Sequence, residues 1–302
     1  MIIICIIEIS FTCYPANKKI IIHFIMASQT FEDYLHAVYS SKKSNAANSY
    51  IQAIRILEDL LKKTERFNLN GKSLAELRDP VLIAQIIDYV TEEEDKFRRE
   101  EESIFNLGKP SQKSYPNKRF CSAAIRRLGE FINRLCCEEA VDEMHNMKRH
   151  NGSKLSSRLT DRLQINDKGS DIEVLAKRRI GQDIFRAMLL DIYGSKCCLT
   201  GLDVPSVLRA SHIIPWSDCV KTRLNPENGL CLSATYDAAF DKYLITFDED
   251  YRLVLSPVLK EEYTSNAFKT YFLNYEGTRI NLPTTYLPSP KFLEIHREKL
   301  IV

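Results

Sequence analysis

The groups able to do hydrolytic chemistry crowd into one stretch, from Cys197 to Asp241. It contains Ala210-Ser211-His212-Ile213-Ile214-Pro215-Trp216, then Asn225-Pro226-Glu227-Asn228-Gly229-Leu230, then Tyr236-Asp237-Ala238-Ala239-Phe240-Asp241. A neutral imidazole, with an ordinary pKa near 6.5, can accept a proton at cellular pH. Asp237 and Asp241 are four apart and on a helix would share a face. Two carboxylates so placed make a hard, oxygen-rich site of the kind that selects Mg²⁺ or Mn²⁺ over Zn²⁺. Plainer readings stand beside these. A histidine next to a strand is usually a satisfied core or surface residue, and Asn228-Gly229 alone reads as a turn. Asp237 could cap a helix and Asp241 could be a solvated carboxylate. Trp216 reads as core, and Cys197 and Cys198 as buried thiols ahead of the Thr200-Gly201 turn.

Singly these pieces are weak, but their order and spacing are specific. The stretch resembles the HNH endonuclease family, in the branch that reads roughly CxxTG, AxHIxPW, NGL and HDxxFD, with the likeness covering about residues 172–260. The resemblance implies a ββα-metal unit, two short strands and a helix around one divalent ion. It makes His212 the general base that deprotonates water, and Asn228 the residue that pins the connecting loop and so orients that base. Where this branch has His-Asp, the chain has Tyr236-Asp237. A phenol, with an ordinary pKa of ~10, is a poor substitute for an imidazole ligand. In the broader family the metal-binding side chain lies nine positions after the asparagine, which is Asp237, and some members add a ligand four further on, which is Asp241. Ser211 holds the position before the base, often a ligand in the family; a serine there would bind weakly or through water. Upstream, Arg178-Arg179-Ile180-Gly181-Gln182-Asp183-Ile184-Phe185-Arg186 resembles the RxGQxxFR helix of the same branch. Arg179, Gln182 and Arg186 fall on one helical face and could hold a DNA phosphate, since guanidinium binds phosphate bidentately; the alternative is a structural helix whose arginines pair with carboxylates.

The elements that must position these residues follow from periodicity. Phe31, Tyr34, Leu35 and Val38, then Ile51, Ile54, Leu57 and Leu61, recur at helical spacing, and Leu82 to Val90 predicts a further helix. That helix runs into Glu92–Glu94 and the mixed Lys96–Glu102, which read as a solvated helix face. Ser122–Cys136 carries Ile125, Leu128, Phe131, Ile132 and Leu135 on one face. An all-helical domain is expected over 26–147. Residues 148–170 are polar without a sustained apolar period and read as a linker, followed by the catalytic domain over 171–302. Within that domain a helix is expected from about Ile172 to Ile192, ending at Gly194. Short strands follow at 207–210, 229–232, 244–247 and 252–255, with Asp248-Glu249-Asp250 as a hairpin turn. The fold class expected is α+β, an N-terminal helical domain followed by the ββα-metal unit. The helical domain shows no recognition-helix signature, and DNA binding, homodimerisation through it and a partner contact are all open to it.

Composition bounds the rest. The 302 residues suggest about two domains, and 42 Lys+Arg against 40 Asp+Glu leave a formal charge of +2. Such a balance excludes a protein that holds nucleic acid simply by being very basic; a DNA contact must come from local Lys and Arg. Nine cysteines, with two adjacent pairs and no CxxC, argue against a disulfide framework and a structural zinc site. Two apolar runs in residues 1–25 are each far short of a membrane span, and these residues read as an upstream extension before Met26-Ala27-Ser28. No membrane association and a cytoplasmic location are expected. The leading reading is a metal-dependent DNA endonuclease of a restriction or defence type. The alternative is a catalytically impaired HNH-fold module that grips DNA or a partner without cutting, because Tyr236 replaced a needed ligand.

Overall fold

Thr30, Asp79 and Asn151 each precede a helix and accept a backbone N–H with their side chains, so short polar residues fix three helix starts. The computed structural model describes residues 30–39 and 45–301. The extension expected over 1–25 lies outside the described residues. The chain divides into two units: one runs to Cys136 and adds Asp167–Lys177, and the other takes Cys137–Asn166 and Arg178 onward. Two of its breaks fall inside helices, at 136/137 and 177/178, and a third, between Asn166 and Asp167, falls within the segment expected as a linker.

The first unit is helical: α1 Phe31–Val38, α2 Ala46–Thr64, α3 Pro80–Arg98 and the start of α4 Phe120–Asn146. Their apolar stripes meet in a core that includes Leu35, Leu57, Ile86 and Ile125, with Phe31, Tyr34 and Phe131 in ring contact. The charge run on α3 is not wholly solvated, contrary to expectation, because Glu93 and Glu94 are buried. Each does a backbone's work. Glu93 accepts the Ile104 N–H at 2.9 Å and an ion-pair hydrogen bond from Lys96. Glu94 accepts the Cys121 and Ser122 N–H groups, both at 3.2 Å, where α4 begins and leaves N–H groups without intrahelical partners.

In the second unit the segment expected as a linker contains a helix, α5 Gly152–Leu163. Leu155, Ser156 and Leu159 are fully buried along it. Leu155, Leu159 and Leu163 recur four apart along it, a narrow helical stripe that the polar composition of the segment masks. Helix α6, Asp171–Ile192, follows, and Gly194 at φ +57° lets the chain turn away in the left-handed region. Strands β1 Leu208–His212 and β2 Gly229–Ser233 pair antiparallel, with Ala210 opposite Cys231 and His212 opposite Gly229. Helix α7, Ala234–Asp241, continues directly from β2 and packs on β1. A second hairpin joins β3 Ile245–Phe247 to β4 Leu253–Leu255, its turn closed by Asp248, whose carboxylate accepts the Asp250 and Arg252 N–H groups. Helix α8, Pro290–Arg297, sets the buried His296 ring flat on Phe240, centroids 3.8 Å apart. The fold is α+β, with small two-stranded sheets in the C-terminal half.

Because α5 is packed by its buried residues, brief trypsin digestion should cut at Lys148 and Arg149, in irregular backbone, before it cuts at Lys154, Arg158 or Arg162. Peptide mapping by mass spectrometry reads the order; equally early cuts inside α5 would contradict its packing.

Candidate active site

The site is assembled from the β1–β2 pair, the loop between them and α7. Gly229 opens β2 opposite His212, and its lack of a side chain is enforced: a Cβ there would lie 2.4 Å from Leu189 Cδ1 and 2.6 Å from Phe185 Cζ. With nothing on Gly229, α6 presses close, and the Phe185 ring stacks on the His212 imidazole, centroids 3.7 Å apart and 16° from parallel. Trp216 meets the same imidazole edge-on at 5.6 Å. Trp216 in turn lies over Gly181, where a Cβ would come within 2.5 Å of its ring.

Two aromatic walls hold the His212 ring, and one hydrogen bond fixes its tautomer. Nε2 lies 2.9 Å from the Arg223 carbonyl oxygen. A carbonyl can only accept, so Nε2 carries the proton and the neutral ring keeps its lone pair on Nδ1. No hydrogen bond to Nδ1 occurs among the described residues. Burial pushes the His212 pKa down to about 4, with the Arg223 guanidinium adding to the depression against the carbonyl's opposing effect. The ring is therefore neutral throughout the physiological range. His296 has the same value of about 4 from burial but both nitrogens are occupied, by Thr246 at 3.0 Å and the Phe240 carbonyl at 3.2 Å. Of these two histidines, His212 alone keeps a nitrogen available for chemistry.

The loop from Ile213 to Asn228 carries that carbonyl. Asn228 is fully buried; its Oδ1 accepts the Ile214 N–H at 2.8 Å, and its Nδ2 donates to the Ile214 and Thr222 carbonyls at 3.0 and 3.2 Å. One side chain thus ties both ends of the loop. Arg223, also buried, donates from Nε to the Trp216 carbonyl at 2.9 Å and lays its guanidinium over the Trp216 ring.

On the other face of β1, as strand alternation requires, Ser211 points at α7 and donates from Oγ to Asp237 Oδ1 at 2.6 Å. Asp241, one turn along, is exposed, yet desolvation by the surrounding protein and then the Asp237 carboxylate push its pKa up to about 6. The structure thus brings Ser211, Asp237 and Asp241 together, while no hydrogen bond links His212 to them. Tyr236 belongs elsewhere. Its ring is buried edge-on to Phe272 and Tyr275, and its hydroxyl donates to the Tyr271 carbonyl, which fastens the 266–275 segment to α7. The residue that replaces the branch's histidine is a packing residue.

The expected phosphate face of α6 is divided. Arg179 and Gln182 are exposed, without a hydrogen bond or ion pair among the described residues. Arg186 does not belong with them. It donates to the Leu208 and Pro205 carbonyls, each at 2.7 Å, and so holds the start of β1. Its partners are carbonyls and not the carboxylates that the alternative reading required.

Residues 197–248 match the model of the HNH endonuclease family. This segment belongs to that family. No curated protein matches the chain significantly. The HNH segment holds β1, the loop, β2 and α7, whereas Phe185 and the Tyr236 anchorage come from outside it. HNH endonucleases act on nucleic acid and usually use a divalent metal, and the oxygen donors here fit one: two mutually repelling carboxylates and a hydroxyl suit a hard cation. Among the described residues no cluster of three or more His, Cys, Asp or Glu forms, so such an ion would complete its shell with water or substrate oxygens. No described helix is long and apolar enough to cross a membrane. Arg223 and Phe185 were not singled out from the sequence, because one acts through its backbone and the other through ring stacking.

Replacing Asn228 by Ala should cost about 2–3 kcal/mol of stability, since it strands the Ile214 N–H and the Ile214 and Thr222 carbonyls. Urea denaturation monitors this; a loss below about 0.5 kcal/mol would mean that the loop does not depend on it.

Proposed function

We propose that the chain is a metal-dependent DNA endonuclease in which His212 Nδ1 is the general base. The observation that carries this reading is the tautomer: the Arg223 carbonyl takes the Nε2 proton, so the catalytic lone pair is available without any prior titration. In the proposed step a water O–H bond breaks and its proton passes to Nδ1. The water oxygen bonds to the scissile phosphorus, and the P–O bond to the leaving oxygen breaks; solvent protonates the leaving oxygen. His212 then returns its proton to solvent, which the depressed pKa favours. A bound divalent ion, held by Asp237 and Asp241 with Ser211 contributing directly or through water, would offset charge on the phosphate and leaving oxygen. Mg²⁺ or Mn²⁺ suits these donors better than Zn²⁺, which prefers nitrogen and sulfur. Arg179 and Gln182, exposed on α6, would steady a backbone phosphate of the substrate. The restriction or defence role rests on the likeness of the motifs to that branch.

Supercoiled plasmid with Mg²⁺ or Mn²⁺ tests the reading. Wild type should nick it, chelator should stop the reaction, and His212→Ala, compared at a temperature where circular dichroism shows it folded, should lower the rate 10²–10⁴-fold. An alanine variant that nicks at the wild-type rate would remove His212 from the chemistry. A wild type that shifts DNA in a gel but never nicks it would leave the binding module as the better account.

A further inference from the structure

Helix α5 lies outside the matched segment, yet it grips the loop that sets the His212 tautomer. Ser156, fully buried on α5, donates from Oγ to the Lys221 carbonyl at 2.9 Å. Lys221 is two residues before Arg223, whose carbonyl takes the His212 Nε2 proton. A second tie holds the far end of the loop: the Gly152 N–H, in the first turn of α5, donates to Glu227 Oε1 at 3.2 Å. Contact there is too close for any side chain on residue 152, since a Cβ would sit 1.9 Å from Asn225 Oδ1 and 2.9 Å from Glu227. Glu227 is also fixed through its backbone, its carbonyl accepting the Ser289 N–H at 2.9 Å. Only residues 222–226 lie between the two anchors, at 221 and 227, so Arg223 has little freedom.

We propose that α5 is a brace for the general base, with Ser156 and Glu227 as positioning residues that hold the Arg223 carbonyl against His212 Nε2. This rests on the reading of His212 as the base. It assigns a role in the reaction to a segment whose composition alone looks like a linker. The physical logic is the small tolerance of proton transfer to misplacement: a displacement of about 1 Å at a catalytic group can cost 10²-fold. Buried serine is a sensible choice for the tie, because its hydroxyl satisfies a loop carbonyl that would otherwise be stranded against the helix.

The experiment uses the full chain, labelled with ¹⁵N-histidine, and compares wild type with Ser156→Ala and with Ser157→Ala, an exposed neighbour on the same helix. His212 is assigned from the spectrum of His212→Ala. In wild type its Nε2 should be protonated, with slowed solvent exchange, and Nδ1 unprotonated. Ser156→Ala should show faster Nε2–H exchange and a mixture of tautomers, with kcat for plasmid nicking down about tenfold and KM within about twofold. Ser157→Ala should match wild type in all of these. If Ser156→Ala leaves the His212 signals and kcat like those of Ser157→Ala, the brace is refuted. If wild type does not nick DNA, the His212 spectrum decides alone: an altered tautomer in Ser156→Ala upholds the brace while the endonuclease reading fails, and an unaltered one removes both. Should Ser156→Ala not fold, Glu227→Ala cuts the other tie and is read against the same outcomes.

Discussion

One hydrogen bond sets where the proton sits on the imidazole at this site: His212 Nε2 donates to the Arg223 carbonyl. Without it a neutral imidazole could carry its proton on either nitrogen, and the ring could turn between Phe185 and Trp216. With it, the proton is confined to Nε2 and Nδ1 is left as acceptor. Much of the surrounding structure serves to hold two atoms at that distance. Gly229 admits Phe185 beneath the ring, Asn228 closes the loop, and Arg223 bonds to Trp216 within it. Burial is the same constraint seen electrostatically. It depresses the histidine to about 4, which keeps it neutral but makes it a weaker base. A substrate phosphate beside the ring would favour the imidazolium and restore part of that basicity, because a nearby negative charge stabilises the charged form.

The acidic side of β1 follows a different rule. Asp237 and Asp241 share one face of α7, and the raised pKa of Asp241 records desolvation by the surrounding protein first and the Asp237 charge second. Ser211 relieves Asp237 with a hydrogen bond. Two close carboxylates disfavour one another, and a divalent cation held there would offset that repulsion. Tyr236 does not compete for that role, since its hydroxyl is engaged with the Tyr271 carbonyl and its ring packs on Phe272 and Tyr275. At the position where the branch has histidine, Tyr236 anchors the 266–275 segment, beside the carboxylates of Asp237 and Asp241.

Strands and the α6 helix were legible in the sequence because their signals are local: short apolar runs, the Asp248 turn between two of them, and Gly194 at the end of the helix. The order of His212, Asn228 and Asp237 was legible for the same reason, as fixed spacings along one short unit. What escaped are interactions made by backbone atoms or by residues of unremarkable type. The Arg223 carbonyl is invisible in a side-chain reading, and Ser156 looks like one more polar residue in a run that includes Ser153 and Ser157. Arg186 was readable as a phosphate ligand because a sequence does not reveal that two carbonyls lie within 2.7 Å of its guanidinium. Glu93 and Glu94 looked solvated because charge usually is, and only the fold supplies the buried N–H groups that they satisfy.

We propose that the third motif still provides a cation site through Asp237, with Tyr236 uninvolved. Calorimetry of Mn²⁺ binding to the purified protein tests it most directly, since Mn²⁺ accepts the same oxygen donors as Mg²⁺. Wild type and Tyr236→Phe should bind one ion with similar affinity. Asp237→Ala should abolish the binding, and Asp241→Ala should weaken it less, because water can take a vacated position around a hard cation. Wild-type affinity in Asp237→Ala, or loss of binding in a folded Tyr236→Phe, would contradict the account.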